Sequence, residues 1–144
     1  MNHLRVGLLT LALLGSACGF ESSSASFCEG LVDDEVRSLL GDTELETFSV
    51  EPLQECVWTS SSAPDQSLTV RIEDVPDGSL FVEHAIEATN ASRVQLLDVG
   101  EQSVLFVDEA VLGRTGDRVA LITATVDVEL LVPLLEQTLE SLAS

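Results

Sequence analysis

Between positions 68 and 73 apolar and polar residues alternate one for one, Leu68, Val70 and Ile72 against Thr69, Arg71 and Glu73. That period predicts a strand with one buried face. Elsewhere the apolar spacing changes to three and four, the period of a helix. Val36, Leu39 and Leu40 share one side of a short helix, with Asp33 as its cap and Gly41 as its stop. Asp34 and Glu35 fall in its first turn, where the positive helix end favours acids. Phe81, Val82, Ala85 and Ile86 mark the buried side of a second helix over residues 79–89. Leu131, Leu134, Leu135, Thr138, Leu139 and Leu142 mark a third, capped by Asp127, with Pro133 early enough in it to be tolerated.

The remaining apolar runs are short and read as strands: 47–50, 55–60, 94–97, 103–107, 110–114 and 118–126. Residues 61–65 and 114–117 carry turn chemistry, and Val99-Gly100 reads as a turn or bulge. The run 118–126 is the longest and is apolar on both faces, which places it at a sheet centre. The order helix, strands, helix, strands, helix predicts an α+β fold, an antiparallel sheet of about five to seven strands packed against helices.

Ahead of this pattern the chain has a different character. Asn2-His3-Leu4-Arg5 carries one positive charge, and residues 6–14 are almost wholly apolar. That is the length of a signal-peptide core and too short to span a bilayer as a mature helix. Gly15, Ser16 and Ala17 are small, as a signal peptidase cleft requires, and Cys18 follows at once. The stretch Leu13-Leu14-Gly15-Ser16-Ala17-Cys18-Gly19 resembles a bacterial lipobox, with glycine at a position where leucine is commonest. The resemblance implies cleavage before Cys18, acylation of its thiol, and anchorage to the membrane through those chains. Residues 18–26, with the run Ser22-Ser23-Ser24, then form a lipidated cysteine and flexible tether, and residues 27–144 a single domain. No later stretch is long and apolar enough to span a membrane.

Loss of residues 1–17 removes Arg5 and none of the 25 acidic residues, which leaves them against five arginines, a formal charge of about −20. There is no lysine. Such a balance disfavours nucleic acid, whose binding needs a basic surface to displace counterions, and disfavours lying flat on anionic lipid. It reads first as a solvated acidic surface and biases encounters toward cations and basic partners.

The remaining stretch, about 127 residues, is large enough for a core without a structural metal. Its two cysteines, Cys28 and Cys56, belong to an exported chain, where a pair forms a disulfide more often than a metal or redox site. Trp58 lies two residues beyond Cys56 and so shares its strand face.

Several of these segments together carry a family likeness. Phe27-Cys28-Glu29-Gly30-Leu31, the helix ending Ser38-Leu39-Leu40-Gly41, the strand Cys56-Val57-Trp58, the turn Val99-Gly100-Glu101 and the terminal leucine helix resemble a family of secreted actinobacterial lipoproteins of uncharacterised function. The resemblance implies a Cys28–Cys56 disulfide and a cell-envelope location. It implies no catalytic residue.

Catalytic chemistry is hard to assemble from what remains. His84 is the one histidine after Cys18, at the border of the second helix's apolar face, and reads as structural. The serines lack a Gly-x-Ser-x-Gly elbow. Asp74-Val75-Pro76-Asp77-Gly78 lacks the spacing and closing glutamate of an EF-hand and reads as a turn. Asp108-Glu109 reads as solvated charge, and Asn90-Ala91-Ser92 as a helix-ending asparagine rather than a glycosylation site. No cofactor or metal site is expected. The expectation is an extracytoplasmic, lipid-anchored, non-enzymatic module of the cell envelope that binds a small molecule or a partner protein. The alternatives are a carrier for a lipid or other apolar molecule, and an envelope enzyme without a readable motif.

Overall fold

Leu68, Val70 and Ile72 are buried and Arg71 between them is exposed, so the strict alternation of that segment survives in the fold. The structure, a computed structural model, describes Cys28 and residues 34–143. Helix α1 covers residues 34–40. A meander follows, β1 (Thr43–Val50), β2 (Leu53–Ser60) and β3 (Ser67–Asp74), and then α2 (Gly78–Glu87). Four more strands, β4 (Val94–Leu97), β5 (Gln102–Phe106), β6 (Ala110–Thr115) and β7 (Arg118–Ala124), lead to α3 (Val132–Ala143). Short 3₁₀ turns at Ala91–Arg93 and Val128–Leu131 precede β4 and α3.

The strands form one antiparallel sheet in the order β1-β2-β3-β7-β6-β5-β4. The fold is α+β, as the alternation of strand and helix periods predicts. The two meanders meet where β3 pairs with β7, which stands fourth of seven and has three strands on either side. Its position is the expected one. It is not the longest strand, since β1, β2 and β3 each have eight residues to its seven, and it ends at Ala124 rather than 126. Beyond Ala124, Thr125 turns back on the start of β3, its N–H donating to the Ser67 carbonyl and its hydroxyl accepting from the Ser67 N–H.

One face of the sheet is the inner one. Thr47, Cys56, Val70, Ile122, Val111 and Leu105 form a row across six strands on it. Val36 and Leu40 of α1 and Leu134, Leu135 and Leu139 of α3 join the same buried cluster. The Cys28–Cys56 disulfide, with Cα atoms 6.0 Å apart, ties the segment ahead of α1 to the middle of β2. Both cysteines and Trp58 are buried in this cluster. The C-terminal end of α1 is held by a second link: the Ser60 hydroxyl donates to the Leu40 carbonyl at 3.0 Å and accepts from the Ala63 N–H. Gly41 then turns the chain with φ 75°, a conformation that an L side chain resists.

Helix α2 covers the opposite, outer face. Val82 is fully buried there with Val104, Leu112 and Val119. Asp77 caps the helix, its Oδ1 accepting from the Leu80 N–H at 3.0 Å. Gly78 allows the helix to start against the β6–β7 turn, because a Cβ there would lie 2.3 Å from the Gly116 carbonyl oxygen.

Further boundaries differ from expectation, and α2 ends at Glu87 rather than 89. β1 starts at Thr43 and β2 at Leu53, earlier than 47 and 55, because Leu45 and Thr47 already alternate with Glu44 and Glu46. Asp127 makes no side-chain capping bond and precedes the 3₁₀ turn, so α3 starts only at Val132. Pro133 falls in its first turn, where its missing N–H has no intrahelical partner to lose. The expected Asp33 cap lies outside the described residues.

Candidate functional site

The register carries one row of residues across the whole outer face: Phe48, Glu55, Arg71, Leu121, Leu112, Val104 and Leu96, one from each strand. On β7, β6 and β5 the row lies under or beside α2, with Val104 and Leu112 buried, and its end on edge strand β4, Leu96, is 73% exposed. The other side, on β1, β2 and β3, has no helix over it among the described residues. Phe48 is 56% exposed and Val50 is 73% exposed. Glu44 and Glu46 on β1 are exposed, and Val57, Glu55 and Glu73 are half-buried on the same face. The outer layer of this sheet is therefore half built, whereas the inner layer is supplied by α1 and α3.

A groove of ≈ 310 Å³ runs along the boundary. Phe81 and Ala85 of α2 form one wall, and Phe106, Leu112, Val119 and Leu121 continue the lining on the sheet. Arg71 and Glu73 close it on the side of the open strands. Phe81 belongs to the expected apolar face of α2, yet it is 39% exposed, as part of the wall of the open groove. Its volume is at the lower end of the range of about 300–1,000 Å³ in which small-molecule sites fall. Among the described residues Arg71 makes neither a side-chain hydrogen bond nor an ion pair. The other arginines of the second half are committed: Arg93 donates to the Val107 carbonyl, Arg114 to Gln102, and Arg118 to Asp74.

A larger open cleft of ≈ 720 Å³ lies at the same end of β2 and β3 but beside Leu142 of α3, lined also by Glu51, Pro52, Leu53, Asp74 and Arg118. Its charges answer each other, since Arg118 and Asp74 form an ion pair at 3.1 Å. On the inner side Leu134 and Leu135 of α3 and Val70, Val111 and Ile122 of the sheet are all 0% exposed, so the leucine helix sits on a close-packed core.

Other residues singled out in the sequence fall elsewhere. Cys18, with the lipobox and the tether, lies outside the described residues. His84 is exposed on α2, away from its buried side at Val82. Of the loop 74–78, Asp77 caps α2, Asp74 pairs with Arg118, and the Gly78 N–H donates to Asp117 at 3.0 Å. Asp108 occupies the left-handed region, φ 62°, in the β5–β6 hairpin. Asn90 begins the turn after α2, accepting from the Ser92 N–H and hydroxyl at 3.1 Å. Among the described residues no group of three or more His, Cys, Asp or Glu side chains is placed to hold a metal ion. No helix among them is long and apolar enough to cross a membrane.

Phe48, Glu55 and Arg71 escape a motif search because nothing in their spacing names a chemistry. Parity is the signal that reveals Phe48. It and Val50 keep step with Glu44 and Glu46 and are out of step with Leu45, so they share the solvent face of an edge strand. No family model, no curated protein and no solved structure matches this chain.

Proposed function

We propose that the chain is an exported, lipid-anchored and non-enzymatic binding module of the cell envelope, and that it binds through the open half of its outer sheet face. The observation that carries the binding role is the exposure of Phe48 and Val50 on the same sheet face as an apolar groove, while the other face carries α1 and α3. A monomer gains nothing from leaving such side chains in water, and exposed apolar patches mark interaction sites. Anchorage rests on residues 13–19, whose small positions before Cys18 suit cleavage and acylation. The tether of residues 19–26 then gives the domain reach from the membrane surface.

The groove favours a second reading, a carrier for a small apolar molecule, because its volume admits one. Native mass spectrometry of the full chain, released from the membrane of the exporting host in mild detergent, separates the two. The module predicts the mass of the acylated chain alone or with a protein partner. A stoichiometric small-molecule adduct that Phe81→Asp removes would establish the carrier and overturn the module.

A further inference from the structure

The open strip has a shape and a charge that specify its occupant. Strands β1, β2 and β3 are eight residues long, which gives a strip about 26 Å long and three strands wide. An α-helix has a diameter of about 10–12 Å and rises 1.5 Å per residue, so the strip seats one helix of about 17 residues beside α2. The inner face of this same sheet already carries helices over its apolar rows. On the strip, Glu44, Glu46, Glu55 and Glu73 stand against Arg71 as the one basic side chain, around Phe48 and Val57. Arg71 and Glu73 belong to both the strip and the groove and form the charged border between them.

Resting on the binding-module reading, we infer that the occupant is a basic amphipathic helix of a partner protein, laid across β1–β3 with one large apolar side chain in the groove against Phe81. The apolar stripe of such a helix covers Phe48 and Val57, and its lysines or arginines meet the glutamates. Interfaces are organised in this way, with an apolar anchor in a desolvated pocket and charges at the rim. A second copy of this chain is a poor occupant, since each copy carries a formal charge of −19 and presents the same acids. Anionic lipid is repelled for the same reason. A small apolar ligand would fill the groove and leave Phe48 and Val50 uncovered.

The test titrates the full chain in detergent with a 17-residue Leu/Lys amphipathic helical peptide, followed by amide chemical shifts and fluorescence anisotropy. A scrambled peptide of identical composition and a Leu/Glu peptide serve as comparisons. Binding of the Leu/Lys helix, with shifts confined to β1–β3 and α2, is expected. Phe48→Thr and Phe81→Ser should each weaken it about tenfold, as loss of an interface anchor does. Glu46→Gln with Glu55→Gln, which leaves the apolar residues in place, should weaken it and flatten its salt dependence. Equal binding of the scrambled peptide, shifts spread over the acidic surface, or no binding would overturn the proposal. Cross-linking from Val57 in the exporting host asks only whether the face is occupied. Occupancy by a protein without peptide binding would sink the basic helix and leave the binding module standing.

Discussion

Arg71 on β3 stands directly across the ladder from Leu121 on β7, and the boundary between the open and the covered half of the outer face runs between them. On the β7 side the row continues through Leu112 and Val104 beneath α2, and on the β3 side through Glu55 to Phe48 at the sheet edge. A single residue row thus passes from core chemistry to surface chemistry at the centre of the sheet, with the groove at the point of change.

The disulfide should be a main support of the fold. It closes 28 residues of chain, which the chain-entropy model values at about 3.6 kcal/mol. Replacing Cys28 and Cys56 together by serine should lower the melting temperature by about 10 °C or more. An unchanged thermal melt would show that the linkage contributes nothing.

Ser60 ties α1 to β2 through its hydroxyl, which donates to the Leu40 carbonyl inside the core. Ser60→Ala leaves that carbonyl and the Ala63 N–H without this partner and should cost about 1–3 kcal/mol in denaturant unfolding. Thr138 offers a comparison, since its buried hydroxyl bonds only within α3, to the Leu134 carbonyl. A loss no larger for Ser60→Ala than for Thr138→Val, which removes that local hydroxyl, would contradict the bridging role.

Gly78 is required by a backbone approach. Its missing Cβ would meet the Gly116 carbonyl oxygen at 2.3 Å, and a backbone oxygen in a tight turn cannot move aside as a flexible side chain can. Gly78→Ala should therefore destabilise by about 1–3 kcal/mol, as overpacking does, despite the better helix propensity of alanine. Equal or greater stability would mean that α2 can shift freely along the sheet.

Anchorage has its own measurement. Cells fed an alkyne fatty acid should label the wild-type chain and not the Cys18→Ala variant, and the mature N-terminus should begin at the modified cysteine. An unlabelled wild-type chain would remove the lipid anchor.

Much of this architecture was legible because local periods and burial agree. Leu68, Val70 and Ile72 announce a half-buried strand, and the leucines of α3 announce the helix that packs on β6 and β7. The apolar character of both faces of 118–126 predicts the central position of β7, though the strand ends at Ala124. The start of β1 was hidden because Glu44 and Glu46 fall on the solvent face of an edge strand, where charge does not oppose pairing. Asp127 misled because it precedes a 3₁₀ turn, a feature its sequence neighbours do not distinguish from a helix start. The candidate site was the least legible part. Phe48, Arg71 and Phe81 are 33 positions apart at the extremes, and only the strand register and the placement of α2 bring them to one surface.

The most direct test of the binding role is site-specific photo-cross-linking of the full chain in the exporting host. Probes replace Val57 on the open strip and Glu136 on the exposed side of α3. Adducts with a discrete protein from position 57, absent from position 136 and lost on Phe48→Asp, are the expected result. No adduct at position 57, or the same adducts from both positions, would contradict a docking role for the outer face.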